Sequence, residues 1–537
     1  MADPGNDDSL VGDSIAVAPT PAGGPVPRDK RDRENGIWKD SLVDARTKER
    51  NDLLQSTLTR LREENRLMEI YGFIIHHRPG TAVRPYAGTM GGYNAIFRVE
   101  YTDGDAVLRT GLAGSVAFGD EKVRNEVATM RYIEKVTSIP VPHIYHWGTA
   151  AENPLGLGAF IIMDYIPHSQ DLSDVLGDPT LGERRQFLDP NVSEEKLERM
   201  YRQVAYIVLQ LSKLEMPKIG SLRQTGDSFT VASRPLTQDM NDLVTKAGLP
   251  LSILPPENAT YSTSDEWYAV LADLHVAHLT FQHNNAIDSP DDCRDKFVAR
   301  HLFRQQVRRG KLLAPTTPPG KRWAKKEAFY LYVDDFRPYN ILIDADLNVV
   351  GVIDWEWAYF APASFSQAAP WWLLLGQPVS CPGTILDFRD RFAGALDVFL
   401  RALRAVEDAA RSNEEEEGQE GWSLDQHIGA LNLDPGTIRL SDCMRRSWEN
   451  GDFWAIYAAR RCYGFEPVFW EFLDERFFGE NAAGGWEGRA HLLSEKGKRR
   501  MEVFVERKVE GSKEKKIVDW DPDEARACLA ESIADFD

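Results

Sequence analysis

The sequence has few cysteines and no long apolar run. Its five cysteines are widely spaced and include no CxxC pair, so neither a zinc knuckle nor a disulfide framework is indicated. The longest apolar stretches, such as residues 369–375, fall far short of the ~20 residues that a membrane helix needs. The first residues contain neither an apolar signal-peptide core nor an Arg-rich transit pattern, so we expect a soluble, cytoplasmic protein.

The sequence is also poor in positive charge. It has 63 Lys and Arg against 83 Asp and Glu, which gives a formal net charge of −20. Nucleic acids and anionic membranes attract positive surfaces, so we expect neither as a partner. The negative charge favours a cationic small molecule only weakly, because a global charge says little about one cleft. Protein partners and the oligomeric state stay open.

Three polar residues have a spacing that suits phosphoryl transfer. Two short apolar runs, residues 341–343 and 349–353, flank a turn centred near Leu347 and lie between Asn340 and Asp354. If the runs pair as an antiparallel hairpin, Asn340 lies opposite Asp354. An amide oxygen and a carboxylate on rigid backbone suit Mg²⁺, with the remaining positions left for water and phosphate oxygens.

The third of these residues, Asp335, lies five positions before Asn340 in a loop entered from the apolar residues 329–333. There it could accept the proton of a hydroxyl as that hydroxyl attacks a γ-phosphate. The pattern DxxxxN alone is a weak signal. When it is followed by a hairpin that ends in a second Asp, the pattern becomes a fairly specific signal of phosphoryl transfer.

In VDDFRPYN and IDWEWA the sequence resembles the aminoglycoside phosphotransferase family. That family's catalytic loop usually reads HGDxxxxN, and a later IDW or IDF segment supplies a metal-binding Asp. The resemblance implies Asp335 as catalytic base, Asn340 and Asp354 as Mg²⁺ ligands, and ATP or GTP as the donor of a phosphate to a small-molecule hydroxyl. It also implies an α+β, bilobal protein-kinase-like fold, with a small antiparallel β-sheet lobe and a large, mainly helical lobe.

Two residues depart from the family pattern, because Val333 and Asp334 replace the usual His and Gly. The second replacement puts a carboxylate beside the base, and adjacent anions disfavour each other's ionisation. Asp334 either points away, toward a basic residue such as Arg337, or the loop has lost its catalytic role. The latter alternative is a kinase-like pseudoenzyme, a nucleotide-binding or scaffold module. A protein kinase is least favoured, since the HRD, DFG and APE signatures are missing.

Three upstream features predict the nucleotide-binding half. A turn containing Gly91 and Gly92 does not match GxGxxG, so it is evidence for a nucleotide-binding lobe only together with the other two features. Arg109 ends a strand where kinases place a Lys, and its guanidinium can grip phosphates. A helix over residues 122–135 places Glu126 next to its inward face, where it could pair with Arg109. The alternative is that both side chains are solvated.

The run Phe160–Met163 leads into Asp164, Tyr165 and Ile166. This segment looks like the hinge strand whose backbone groups would meet an adenine edge. We therefore expect Asp164 and Ile166 to border the nucleotide.

The chain is expected to have five segments. They are a disordered N-terminal tail (1–37), a charged helix that braces the small lobe or binds a partner (38–71), a small nucleotide-binding lobe (72–166), a large catalytic and substrate lobe with helical inserts (167–494), and a charged C-terminal tail, helical or loose (495–537). Helical inserts are predicted over 193–214 and 264–282. By the resemblance, such inserts build the acceptor pocket.

Overall fold

The computed structural model describes residues 65–533 and a few isolated positions between 48 and 59. Its gaps are residue 92, 182–186, 284–285, 315–326, 382, 413–430, 432–437 and 515–517. Three predicted features therefore lie outside the described residues: the N-terminal tail over 1–37, most of the helix over 38–71, and Gly92.

Six antiparallel strands form one sheet in the order β1-β3-β4-β6-β5, with β2 paired to β3. They are β1 (Ala82–Pro85), β2 (Thr89–Met90), β3 (Asn94–Tyr101), β4 (Ala106–Gly111), β5 (Ile144–Gly148) and β6 (Phe160–Asp164). Burial alternates along β3 with the two-residue period of a strand. This sheet is the small lobe.

Two helices pack against this sheet, α1 (Arg66–His77) and α2 (Gly119–Val136). Apolar residues of α1 join a hydrophobic cluster with Leu108 of β4 and Ile162 of β6. Their strand neighbours Val107 and Ile161 instead join the main core, together with residues of α2. Neighbouring residues of a strand point to opposite faces, so α1 and α2 cover the two sides of the sheet. Residues 66–71 of the predicted N-terminal helix lie in α1, which packs against the sheet and continues past the predicted end to His77.

Fourteen further helices are found in the described residues. They are α3 (Leu172–Leu176), α4 (Glu194–Leu211), α5 (Gln238–Thr245), α6 (Ser264–Phe281), α7 (Pro290–Arg308), α8 (Ala363–Ser366), α9 (Ile385–Ser412), α10 (Leu440–Glu449), α11 (Asp452–Arg460), α12 (Phe465–Val468), α13 (Asp474–Phe478), α14 (Gly485–Arg489), α15 (Glu495–Glu514) and α16 (Pro522–Ser532). Both predicted insert helices are present as α4 and α6. Helix α6 is capped by Thr263, whose hydroxyl accepts from the Glu266 amide at 3.3 Å.

The C-terminal segment is helical in the described residues, through α15 and α16. Met501 and Phe504 of α15 and Ala525 of α16 are buried in the main core, so these helices are packed parts of the fold. None of the helices in the described ranges has the length and apolar character to span a bilayer.

Short strands position the segments that contain Asp335, Asn340 and Asp354 in the large lobe. They are β7 (Gln170–Asp171), β8 (Glu215–Met216), β9 (Ser221–Thr225), β10 (Ser228–Ser233), β11 (Phe329–Val333), β12 (Ile341–Ile343), β13 (Val349–Val352) and β14 (Ala358–Pro362). They pair as β14-β11-β8, β13-β12-β7 and the hairpin β9-β10. Strand β11 ends immediately before Asp334 and Asp335. The predicted α+β fold, with a small sheet lobe and a large, mainly helical lobe, is confirmed.

Candidate active site

The hairpin of β12 and β13 brings Asn340 and Asp354 to the same end, but not opposite each other. The backbone carbonyl of Asn340 accepts a hydrogen bond from the Ile353 amide at 3.0 Å, and Ile341 pairs with Val352. Asn340 therefore lies opposite Ile353. The predicted pairing of Asn340 with Asp354 is wrong by one residue.

Two local features shift this register. The Asp344 carboxylate accepts from the amides of Asp346 and Asn348, at 2.9 and 2.8 Å, in the turn that the sequence predicted. Ile343 pairs with Val349, which centres the turn on Asp346 rather than Leu347. A bulge between this pair and the next then moves the pairing back by one residue.

Asp354 ends the hairpin in an unusual backbone conformation. Its φ of 59° lies in the left-handed region, which Asp tolerates better than most residues. Its carboxylate is 31% exposed, and Oδ1 lies 2.5 Å from Nη1 of Arg109. The Asn340 side chain donates from Nδ2 to the Asp335 carbonyl at 2.8 Å. Since the nitrogen makes this bond, Oδ1 is the atom of Asn340 that suits a cation.

Asp335 is a buried carboxyl at the start of this loop, with 4% of its surface exposed. Nε of Arg337 lies 3.1 Å from its Oδ1. Burial raises the pKa of Asp335 to about 7, the charges of Glu356 and Asp354 act in the same direction, and Arg337 opposes them. A carboxyl that exchanges its proton near neutral pH suits general base chemistry.

Asp334, the extra carboxylate beside Asp335, is turned into the large lobe. Its Oδ1 lies 3.2 Å from Nη1 of Arg460 and 3.9 Å from Nη2 of Arg461. The suggested partner Arg337 was wrong, because it contacts Asp335 instead. The two adjacent carboxylates therefore have different arginine partners.

The expected ion pair between Arg109 and Glu126 is present. Glu126 has no exposed surface, and its carboxylate contacts Nη2 of Arg109, while Nη1 of Arg109 contacts Asp354. Burial lowers the pKa of Arg109, but Glu126 and Asp354 outweigh it and hold the pKa above its ordinary value. Arg109 thus connects α2 to the end of the β12-β13 hairpin. Its contact with nucleotide stays a prediction.

A second buried ion pair lies beside the first and was missed by sequence reasoning. Nζ of Lys122 contacts the Glu356 carboxylate, and the Asn94 side chain accepts from Lys122 at 3.1 Å and donates to Glu356 at 3.2 Å. Burial alone would raise the pKa of Glu356, but Lys122 and Arg109 outweigh it and lower the pKa. The one available signal was that Lys122 lies four residues before Glu126 and hence on the same face of α2.

We expect Lys122→Met to lower the free energy of unfolding by about 3 kcal/mol, because it leaves the Glu356 carboxylate buried without its lysine. Asn94 still donates to Glu356, which keeps the loss at the lower end for a broken buried pair. Chemical denaturation of Lys122→Met, Glu356→Gln and the double variant measures the coupling. Strictly additive losses would show that the two side chains do not interact.

The glycine turn and the hinge are present, and their residues make specific contacts. The Gly91 amide donates to the Asn94 carbonyl at 2.8 Å and closes the turn. The Asp164 carboxylate accepts from the Tyr145 hydroxyl and, at 3.3 Å, from the His143 amide. Its own amide donates to the His143 carbonyl at 3.0 Å, so the side chain and the amide of Asp164 both bond to β5 and the residue before it.

Ile166 follows the hinge and packs on Gly351 of β13. A Cβ added at Gly351 would lie 2.5 Å from Cδ1 of Ile166, so a larger residue there would require the Ile166 side chain to shift. The packing joins the end of the small lobe to the strand that leads toward Asp354. The roles of Gly91, Asp164 and Ile166 toward nucleotide remain predictions.

The short helix α5 borders the site and was not predicted. The Tyr93 hydroxyl, next to the glycine turn, donates to Asp242 of α5 at 3.2 Å. At the other side, Arg461 donates to Gln238 at 3.0 Å and to the Asp334 carbonyl at 3.4 Å. Helix α5 therefore links the small lobe to the catalytic loop. Thr237, which caps α5, was the sequence signal for it.

The donor set near the hairpin end fits Mg²⁺. Asp354 and Asn340 offer carboxylate and amide oxygens, the ligands that this ion prefers. In the described ranges, no group of three or more His, Cys, Asp or Glu side chains is arranged to hold a metal. Mg²⁺ usually keeps few protein ligands and completes its shell with water and phosphate oxygens.

Comparisons with known proteins give low sequence identities. The "Subtelomeric hrmA-associated cluster protein" of two Aspergillus fumigatus strains is 24% identical over 152 residues, which are 28% of this chain and 26% of each relative. The chain thus spans about a quarter of these relatives. Aminoglycoside phosphotransferase APH(4)-Ia, solved as a thermostable mutant with AMP-PNP and hygromycin B, is 15% identical with a TM-score of 0.36, covering 74% of this chain and 98% of that chain. A microcompartment-associated aminopropanol kinase is 10% identical with a TM-score of 0.33, covering 88% and 100%.

A family comparison covers the residues of the site. Residues 89–366, more than half of the 537, match the model of the family APH, described as "Phosphotransferase enzyme family". The match runs from β2 to α8 and contains Arg109, Asp335, Asn340 and Asp354. It confirms the resemblance that the catalytic segments indicated, together with the protein-kinase-like fold. The chain belongs to the phosphotransferase enzyme family.

Proposed function

We propose that this protein transfers the γ-phosphate of ATP or GTP to a hydroxyl group of a small molecule, with Mg²⁺ as cofactor. The observation that carries the proposal is the environment of Asp335. It is a buried carboxyl with a pKa raised to about 7, and its own carbonyl holds the Asn340 side chain at 2.8 Å. A proton acceptor beside a candidate magnesium ligand is what phosphoryl transfer to a hydroxyl requires.

In the proposed mechanism Asp335 accepts the proton of the attacking hydroxyl. Arg337, whose Nε lies 3.1 Å from Oδ1, places a positive charge beside this carboxylate. Arg109, held by Glu126, offers its guanidinium to the phosphates of the nucleotide. Mg²⁺, held by Asp354 and Asn340, would neutralise charge on the β- and γ-phosphates. The nucleotide lobe is proposed as residues 72–166, and the acceptor lobe as 167–494.

The position of Asp334 supports a working base over a pseudoenzyme. Two arginines, Arg460 and Arg461, hold this carboxylate inside the large lobe. The ion-pair partner of Asp335 is a different residue, Arg337. The residue that departs most from the family pattern leaves the proposed base free to ionise.

We expect Asp354→Ala to weaken binding of the magnesium nucleotide by at least about tenfold. Removing a residue that only orients a metal ligand already lowers metal affinity by about that factor, and removing the ligand itself should lower it further. Thermal-shift titrations with Mg-ATP, Mg-GTP and EDTA controls measure this. Asp346→Ala, in the exposed turn of the same hairpin, is the matched control. Equal nucleotide stabilisation of both variants would count against Asp354 as a ligand.

The activity itself is tested with γ-labelled nucleotide and a metabolite mixture. Transfer of label to a small molecule by the wild-type protein supports the proposal and isolates the acceptor. Nucleotide binding with neither transfer nor slow hydrolysis would favour the pseudoenzyme.

A further inference from the structure

Helix α5 is held by the segment 461–463 of the large lobe. The Cys462 amide donates to the Asp239 carboxylate at 3.2 Å, and the Tyr463 hydroxyl donates to the Asp242 carbonyl at 3.3 Å. The first residue of this segment also bonds to α5. The helix therefore has a fixed position in the large lobe.

Asn241 reaches from α5 to the small lobe. Its side chain has no exposed surface. Nδ2 donates to the Ser115 carbonyl at 3.0 Å, and Oδ1 accepts from the Ala117 amide at 2.9 Å. Both partners are backbone groups of the loop between β4 and α2. One side chain thus holds this loop through a donor and an acceptor, and the two partners fix which way its amide faces.

A second contact holds the first turn of α2. Arg234, which precedes α5, donates two hydrogen bonds to the Glu121 carboxylate, at 2.9 and 2.7 Å. Arg234 also donates to the Pro255 carbonyl at 2.7 Å. Both charged side chains are largely buried, and a bidentate pair of this kind restricts geometry as well as adding energy. The start of α2 is therefore held from the large lobe at two adjacent points.

The loop that Asn241 holds joins the two elements that carry the buried ion pair. Strand β4 carries Arg109 and ends at Gly111, and α2 carries Glu126. A movement of the loop would therefore shift both partners of the pair. Misplacement of a functional group by about 1 Å can cost about 10²-fold in rate, so the position of this loop matters for any contact that Arg109 makes.

We propose that Asn241 is a positioning residue for the nucleotide site. It holds the loop between β4 and α2, and through this loop it sets where the guanidinium of Arg109 lies. Arg234 supports the same position through Glu121. The inference rests on the proposed function, because that function assigns the phosphates of the nucleotide to Arg109.

Hydrogen exchange of the full-length protein without nucleotide tests the structural step. Asn241→Leu keeps the approximate shape of the side chain and removes both hydrogen bonds. We expect residues 112–123 to exchange about tenfold faster, because losing two hydrogen bonds makes local opening easier. Unchanged exchange in this segment would overturn the inference.

Gln203→Met is the matched control for this measurement. Gln203 of α4 is also buried, and its side-chain amide likewise bonds two backbone groups, the Leu347 carbonyl at 3.0 Å and the Val349 amide at 2.8 Å. These groups lie in the large lobe, so exchange of residues 112–123 should stay unchanged. Equally fast exchange of this segment in both variants would show a general loss of stability and overturn the inference.

Calorimetric titration with Mg-ATP tests the step toward the nucleotide. Asn241→Leu should bind about tenfold more weakly, less than the full cost of misplacement, because Glu126 and Asp354 still hold Arg109. In the Arg109→Met/Glu126→Gln background Asn241→Leu should weaken binding no further, since no guanidinium is left to position. An equal further loss there would show that Asn241 does not act through Arg109, and would overturn the inference.

Failure of the inference differs from failure of the proposed function. A wild-type protein that binds no Mg-ATP would contradict the proposed function, and the exchange measurement would still decide whether Asn241 holds α2. Wild-type affinity for Mg-ATP in Asn241→Leu would overturn the inference and leave the proposed function intact.

Discussion

Asp335→Asn is expected to lower turnover by about 10²- to 10⁴-fold, the usual contribution of a general base, with little change in affinity for the magnesium nucleotide. The amide has the shape of the carboxyl but cannot take up the hydroxyl proton. The fold should tolerate it, because Asp335 is buried and a neutral side chain costs less there than a charged one. Nucleotide binding and turnover therefore separate in this variant.

Turnover is measured as label transferred to the acceptor found with the wild-type protein. Nucleotide affinity is measured by thermal shift on the same preparation. Asp346→Asn, an equivalent change at an exposed position of the hairpin turn, should leave both unchanged. Wild-type turnover in Asp335→Asn would exclude it as the base.

Arg109→Met is expected to lower the free energy of unfolding by about 3–5 kcal/mol, the cost of breaking a buried ion pair from one side. Glu126 has no exposed surface, so its carboxylate would be left without its charge partner. Asp354 would lose its 2.5 Å contact as well. The large effect follows from this desolvated pair, since exposed ion pairs contribute little.

The double variant Arg109→Met/Glu126→Gln separates stability from nucleotide binding. It should recover much of the lost stability, because no unpaired charge stays buried. It should not recover nucleotide affinity, since the guanidinium proposed to hold the phosphates is still missing. Arg84→Met is the control, because Arg84 lies on the exposed strand β1 and its ion pair with Glu100 is solvated. Full nucleotide affinity in the double variant would rule out the phosphate role of Arg109.

The residues proposed for catalysis could be read from the sequence because their signals are local. Asp335 and Asn340 are five residues apart on one loop, and the turn before Asp354 has its own Asp and Asn residues. Helical spacing alone placed Glu126 toward the core. The pairing register of the hairpin at Asn340 could not be predicted, because it depends on a β-bulge that no residue type in the sequence indicates.

Other contacts of the site join residues far apart in the sequence. Asp334 meets Arg460, 126 positions later, and Lys122 meets Glu356, 234 positions later. No local pattern could have selected Arg460 over the neighbouring Arg337. Helix α5 reaches Tyr93 from an insert whose position depends on the packing of the large lobe.

The sequence by itself determined the family and, through the resemblance of its motifs, the class of fold. It also determined the spacing of the residues proposed as base and metal ligands, because these signals lie in residues close together in the chain. The tertiary structure alone decided which charges are buried together, how the hairpin is registered and where α5 meets the small lobe. These features depend on the close packing of elements distant in the chain, which sets burial, and burial sets the strength of every charge contact in the site.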